Sequence, residues 1–218
     1  GVIVGGALVW YLFYARVTVM RESALVRVAA RVARTDFADH DLESELSRVV
    51  RERDKVVGDR FDDYIQICPV LDLPPEAGID EMFDAVCAEL AQEVRLTAEE
   101  IKELFQHRED LSSTVVRAGL AIPHVISKEL DSFHVVLVRS RKGVEFDKAE
   151  EPVHVMFVIA APPSERNFYL RALMAIAEIA QQPHFDERWM RARGPAALRE
   201  VILAGERRRD AAGEAGQE

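Results

Sequence analysis

The chain has 218 residues, 49% hydrophobic and 30% charged, with a formal net charge of −10. That length and composition fit one well-cored globular domain with accessory pieces, and the negative balance argues against a nucleic-acid partner. Cys68 and Cys87 are the only cysteines; they form neither a C-x-x-C motif nor a disulfide framework, which fits a reducing compartment.

The first element is "GVIVGGALVWYLFYA", Gly1 to Ala15, without a charge. As a helix it covers about 22 Å, short of the roughly 30 Å hydrocarbon core. The chain begins with Gly, not Met, so this run reads as the end of something longer. Trp10, Tyr11, Phe13 and Tyr14 stand where an interfacial aromatic belt belongs, and Arg16, Arg21, Arg27, Arg31 and Arg34 follow with only Glu22 opposing them. Aromatics followed by arginines mark the cytoplasmic end of a membrane span, whereas a signal peptide carries its positive charge before the apolar run. The expectation is a truncated transmembrane helix over 1–15, detached from the domain core, in a cell-membrane protein whose residues from about 16 onward are cytoplasmic. A buried helix in a soluble fold is the alternative.

Residues 16–65 read as a basic juxtamembrane and helical linker. Leu25, Val28 and Val32 share one helical face among arginines, suited to an anionic membrane surface or to packing on the domain. Asp41 can cap a second helix, striped by Leu42, Leu46, Val49, Val57, Phe61 and Tyr64, interrupted by Arg53 and weakened at Gly58. This helix is a spacer or a self-association surface, so a homo-oligomer is one expected assembly.

An α/β domain is expected over 66–205, followed by a disordered tail over 206–218. "ICPVLDL" (67–73) reads as a strand, with Pro69 suggesting an edge position, and Pro74-Pro75 ends it. Ile79, Phe83, Val86, Leu90 and Val94 mark an amphipathic helix, and Thr97 with Glu100 forms a capping box for the next. "SFHVVLVRS" (132–140) and "VHVMFVIAA" (153–161) are expected as neighbouring strands. Ser164 can cap "ERNFYLRALMAIAEIAQ", whose apolar residues lie nearly all round and predict a well-buried helix with Met174 in the core. Pro183 breaks it; "FDERWMRAR" and "AALREVILAG" are the last helices. Strands alternating with helices give a three-layer α/β fold: a central mixed sheet flanked by helices, preceded by the juxtamembrane segment.

The stretch "SSTVVRAGLAIPHV" (112–125) carries the candidate site. Leu120, Ala121 and Ile122 suit a short buried strand, and Gly119 allows a turn before it. Pro123 has no N–H and holds Ile122 extended, so pairing should end there and deliver His124 to a crevice at a strand end. His134 and His154 each start a long strand and can face each other across the pair. No third ligand accompanies them by spacing, so no metal is expected. Cys87 lies on the apolar side of a helix and is expected in the core, and His40, His107 and His184 are expected on the surface. No nucleotide loop, Ser-His-Asp spacing or H-E-x-x-H motif occurs, so no cofactor is expected.

"REDLSSTVVRAGLAIPH" resembles the active-site segment of enzyme IIA domains of the fructose–mannitol class, from the bacterial phosphoenolpyruvate-dependent sugar phosphotransferase system. That class includes nitrogen-related regulatory members. The shared features are the Arg108-Glu109 pair, the Ser113-Thr114 pair and Gly-x-Ala-Ile-Pro-His ending on His124; the resemblance extends over about 66–205. It implies that His124 takes up a phosphoryl group, that Arg108 lies beside it, and that Ser113 and Thr114 either donate to phosphate oxygens or hold the loop. It also puts Asn167 and Tyr169, at the start of the 165–181 helix, in the same crevice, where a helix N-terminus favours an anion.

The match departs in two places. Tyr169 stands where typical members carry a second histidine, and a tyrosine cannot become a cation near neutral pH. Val115, Val116 and Arg117 stand where members often have glycine, which makes close backbone approach to a phosphate harder. "GGALVWYLFYARVTVMRESALVRV" separately resembles the last transmembrane helix and exit of an amino acid–polyamine–organocation superfamily permease, some of which carry a cytosolic enzyme IIA-like domain. Together these imply a regulatory enzyme IIA-like domain of an amino-acid transporter that senses a partner or anionic ligand at His124. A working phosphoryl carrier, or a module binding a small anion, are the alternatives. The implied partners are the transporter's membrane domain, the membrane and a phosphocarrier protein.

Overall fold

The computed structural model describes residues 58–209 apart from 112, 148 and 208. The expected membrane span over 1–15, the basic stretch over 16–38, most of the linker helix and the tail beyond 209 lie outside the described residues. Among the described residues no helix is long and apolar enough to cross a membrane.

The domain starts earlier than residue 66. Helix α1 (Arg60–Ile67) opens on a cap at Asp59, whose carboxylate accepts the Asp62 N–H at 3.1 Å while Asp62 accepts the Asp59 N–H at 3.3 Å. Phe61 and Ile65 are buried in the core. The last part of the stripe read as a linker helix, Phe61 and Tyr64, therefore belongs to the domain, where a reciprocal cap at Asp59 begins α1. The tail is also engaged: Arg207 donates to Asp59 at 2.6 Å, and Arg209 donates to Asp62 at 2.8 Å.

Strand β1 (Val70–Leu73) follows, then α2 (Ile79–Leu90) and α3 (Ala98–Leu111). Thr97 and Glu100 cap α3 reciprocally, with the Thr97 N–H reaching Glu100 at 2.8 Å and the Glu100 N–H reaching Thr97 at 3.3 Å. Next come β2 (Val115–Arg117), β3 (Leu120–Ala121), β4 (His124–Ile126), β5 (His134–Val144) and β6 (Val153–Ala161). Helices α4 (Arg166–Ala180), α5 (Phe185–Arg191) and α6 (Gly194–Leu203) complete the domain.

The sheet is mixed, in the order β1-β5-β6-β3-β2, with β4 also on β6. β5 and β6 run antiparallel and adjacent, and β1 lies parallel to β5 at one edge. Alternation along the two long strands makes two cores. Val135, Leu137, Phe157 and Ile159 join α1, α4, α5 and α6 on one face, while Val136, Val138, Met156 and Val158 join α2 and α3 on the other. This is the three-layer arrangement expected of a sheet buried on both faces.

Several local expectations need correction. Ser164 lies in a 3-10 turn (Pro163–Glu165), and no side chain caps α4. That helix is not buried all round: Met174 is 65% exposed and Leu170 42%. Its core contacts come instead from Ala172, Ala175, Ile176 and Ile179. His134 and His154 do not face each other, because His134 pairs with Ala160 while His154 sits at the opposite end of β6. His134 meets the Ser132 hydroxyl at 2.9 Å, and His154 meets the Ser140 carbonyl at 3.0 Å.

Candidate functional site

The site is built where β3 gives way to β4. Gly119 turns the chain at φ 75°, a conformation that favours glycine. Its carbonyl accepts the N–H groups of His154 and Val155 at 2.9 and 3.0 Å. Leu120 and Ala121 then pair with Val155 and Met156 of β6. Pro123 interrupts this pairing without ending it. Its carbonyl accepts the Ile159 N–H at 2.9 Å, and β4 resumes on the same strand with His124 opposite Ile159. Proline withholds only a donor; the carbonyls on either side remain able to pair. His124 therefore sits in a kinked but continuous ladder, half-buried, not at a free strand end.

The two nitrogens of its ring have different partners. Nδ1 lies 2.9 Å from the Ile122 carbonyl oxygen. Nε2 receives Nε of Arg108 at 3.2 Å and lies 3.0 Å from its Nη2. A carbonyl only accepts and a guanidinium only donates, so the neutral tautomer with hydrogen on Nδ1 satisfies both contacts. Burial pushes the imidazole below its ordinary pKa, and Arg108 pushes the same way; the Ile122 carbonyl and Glu109 pull in the opposite direction. Neutral His124 thus presents a lone pair on Nε2, aimed at a cation.

Arg108 comes from the last turn of α3 and Tyr169 from the start of α4. The Tyr169 ring lies 5.7 Å from the His124 ring, tilted by 44°, and is itself buried. Burial raises its phenol pKa, against a smaller opposing pull from Arg108, so it stays a neutral hydroxyl. Sequence-expected His124, Arg108 and Tyr169 are brought together.

The Ser-Thr pair is placed differently. Thr114 is buried, its hydroxyl bonds the Glu109 carboxylate at 2.6 Å, and its N–H bonds the other Glu109 oxygen at 3.1 Å. The Ser113 hydroxyl accepts the Val115 N–H at 3.2 Å. These contacts hold the loop between α3 and β2. Asn167 is exposed on the first turn of α4. Arg117, one of the residues in place of glycine, donates to the Ala180 carbonyl at 3.1 Å and to Asp186 at 2.7 Å, at the far end of α4.

Glu109 is the residue whose part the sequence reading missed. Its signal was there: an acid directly after the site arginine, five residues before Thr114, at a helix end where carboxylates are disfavoured unless a donor is supplied. Among the described residues, no group of three or more His, Cys, Asp or Glu is placed to hold a metal ion.

Residues 74–205 match the family model "Phosphoenolpyruvate-dependent sugar phosphotransferase system, EIIA 2". The chain is 28% identical over 102 residues to the fructose-specific EIIABC component of Bacillus subtilis, covering 46% of this chain and 16% of that protein. It is 26% identical over 116 residues to the nitrogen regulatory protein of Bradyrhizobium diazoefficiens, covering 51% of this chain and 76% of that protein. Among solved structures, nitrogen regulatory protein IIA-Ntr of Neisseria meningitidis is similar with a TM-score of 0.57 and 25% identity, covering 61% of this chain and 91% of that one. The extent of the family match, together with this fold, places the chain in the EIIA 2 family of the phosphoenolpyruvate-dependent sugar phosphotransferase system.

Proposed function

We propose that this chain is a regulatory enzyme IIA-like domain whose His124 pocket takes up a phosphoryl group or phosphate-like anion, and that it serves a membrane amino-acid transporter. The observation that carries the pocket is the division of labour on the His124 ring: Nδ1 on the Ile122 carbonyl, Nε2 on Arg108. Attack by the Nε2 lone pair on phosphorus forms a P–N bond while the donor's bond to phosphorus breaks and its electron pair leaves with the donor. No proton has to move, because Nδ1 keeps its hydrogen on the carbonyl. The Arg108 N–H groups released from Nε2 turn to the phosphoryl oxygens, where charge-assisted bonds are strongest.

Tyr169 supports a regulatory use over a fast relay. It offers one neutral hydrogen bond where a histidine can add a charge. Similarity to nitrogen regulatory proteins points the same way. Exposed Leu111, Ile126, Leu170 and Met174 lie on the elements that carry Arg108, His124 and Tyr169, and suit a protein partner. The transporter attachment is supported by the uncharged aromatic run over 1–15 and the arginines after it.

A second reading, a working phosphoryl carrier, is favoured by the unprotonated Nε2. The two separate on one experiment. The chain is incubated with phosphoenolpyruvate and the general phosphocarrier proteins, and acid-labile phosphate on His124 is followed in the native and Tyr169→His forms. Slow labelling of the native chain and faster labelling of Tyr169→His are expected. Fast, stoichiometric labelling of the native chain overturns the regulatory reading and establishes the carrier.

A further inference from the structure

Tyr169 reaches His124 from the first turn of α4, yet that turn lacks the usual means of being fixed. No side chain caps it, and it is entered through the 3-10 turn Pro163–Glu165. An uncapped helix start frays unless something outside it supplies the constraint.

The constraint comes from α1, which precedes the stretch matched to the family at 74–205. The Arg60 guanidinium grips Glu165 with two parallel bonds, Nη1 to Oε2 at 2.8 Å and Nη2 to Oε1 at 2.7 Å. The same guanidinium lies 4.1 Å from the centroid of the Phe168 ring, the residue next to Tyr169. Phe168 is in turn wedged against Phe133 at 4.7 Å and Tyr64 at 5.4 Å. A lone surface ion pair holds little, but a forked pair that also stacks on an aromatic face has one geometry only. The platform itself is fixed: Asp59 caps α1, and Arg207, 1% exposed, clamps that carboxylate.

We propose that Arg60 is a positioning residue of the His124 pocket: by holding Glu165 and Phe168 it fixes the first turn of α4 and keeps the Tyr169 ring against His124. This rests on the reading of His124 as the reactive centre, and it assigns a role in that centre to a residue 64 positions upstream in the chain. Arg60 touches neither His124 nor an anion there; it acts through Tyr169.

The test follows the His124 imidazole titration and the Tyr169–His124 ring contact by NMR. The full chain is compared with Arg60→Ala, Arg60→Lys and the swap Arg60→Glu/Glu165→Arg. Arg108 and Glu109 of α3 act on the imidazole and the Tyr169 ring of α4 lies against it, and none of these is changed. With alanine the ring withdraws, water reaches the imidazole, and the His124 midpoint rises by about 0.5 unit. Lysine keeps the charge but not the fork, and shifts the midpoint by less than alanine does. The swap restores the ion pair but not the stacking on Phe168, and so returns the midpoint only part of the way.

An unchanged midpoint and ring contact in Arg60→Ala overturns the proposal, even if thermal stability falls. Should alanine fail to fold, an Arg60→Lys form with a native midpoint and ring contact overturns it equally. Neither readout needs phosphoryl transfer. Failure of His124 to label therefore counts against the reading of the centre, while failure of these shifts counts against Arg60 alone.

Discussion

Two arginines mark opposite ends of the sheet. Arg139, on β5, is fully buried, and its N–H groups reach Asp72 of β1 and the carbonyls of Trp189 and Ala192 at the end of α5, the latter two at 3.0 and 2.7 Å. Its partners are a carboxylate and helix-terminal carbonyls, groups that need a cation and never change state near neutral pH. Arg108, on α3, is only part-buried and holds an imidazole nitrogen. That partner is titratable, and under the proposed reading it is also the group that takes up a phosphoryl group; either change would take the Nε2 lone pair away from the arginine. The difference separates a cation that joins elements from one that holds a titratable ring. Burial alone would pick Arg139, which has no part in the proposed site.

The largest expected effect tests the joining end. Arg139→Met keeps most of the apolar stem but leaves the Trp189 and Ala192 carbonyls without their donor, while Asp72, 42% exposed, keeps only Arg141 at 4.0 Å. Unfolding free energy should fall by about 2 kcal/mol in chemical denaturation, mainly the cost of leaving carbonyls at the end of α5 without a donor. The His124 titration should not move. If it shifts together with the stability, the two ends are one cooperative unit and the contrast between them fails.

The sequence carried the layers and the site but not the joints. Alternating apolar residues in 132–140 and 153–161 made both strands legible, because each face of the sheet is dry. The capping box at Thr97 and the turn at Gly119 were legible because each is settled within a few residues. His124 with Arg108 and Tyr169 was legible only through the family motif, since no spacing rule joins residues on α3, β4 and α4. The resumption of pairing at β4 was not, because it depends on which strand lies alongside after Pro123. Nor were Arg60–Glu165, Arg207–Asp59 and Arg139–Asp72. A charged residue in a local window reads as a solvated face; its partner lies 105, 148 or 67 positions away.

A smaller effect separates the two ends by pH. Arg139 holds the Asp72 carboxyl below the usual carboxylate range, with burial opposing and Arg141 adding to the effect. A depressed acid stabilises the fold above its unfolded value, near 4, and that contribution is lost as pH falls through the folded value. His124 and His134 are also depressed, mainly by burial. Just below about 6.5 the unfolded chain binds more protons at these sites, so stability falls as pH drops through that window and is complete above it. Denaturation curves across pH should therefore show Asp72→Asn flattening only the acid limb and His124→Gln reducing the slope just below about pH 6.5, with His134 contributing in the same direction. A His124→Gln profile as steep as the native one would sink the neutral, buried imidazole.

The smallest expected effect lies on the outer side of α4. Leu170 and Met174 are four residues apart, so they share one helical face, and both are exposed while Ala172, Ala175 and Ile176 turn inward. Ile126, two residues from His124 on β4, is exposed as well, and the period-two alternation of a strand puts it on the same side as the imidazole. An apolar residue in water contributes little to folding, so Met174→Glu should change unfolding free energy by less than about 0.5 kcal/mol. It should leave the His124 titration unchanged, because it removes nothing that touches the ring. What it should change is encounter with a protein. Labelling of the Tyr169→His form by a general phosphocarrier should slow several-fold when Met174 becomes Glu, while labelling by a small donor such as acetyl phosphate should not. Equal rates with the protein donor would remove this face from the docking surface. A stability loss of several kcal/mol would mean that Met174 is packed in the folded chain, and the division between a joining end and an encounter end would have to be redrawn.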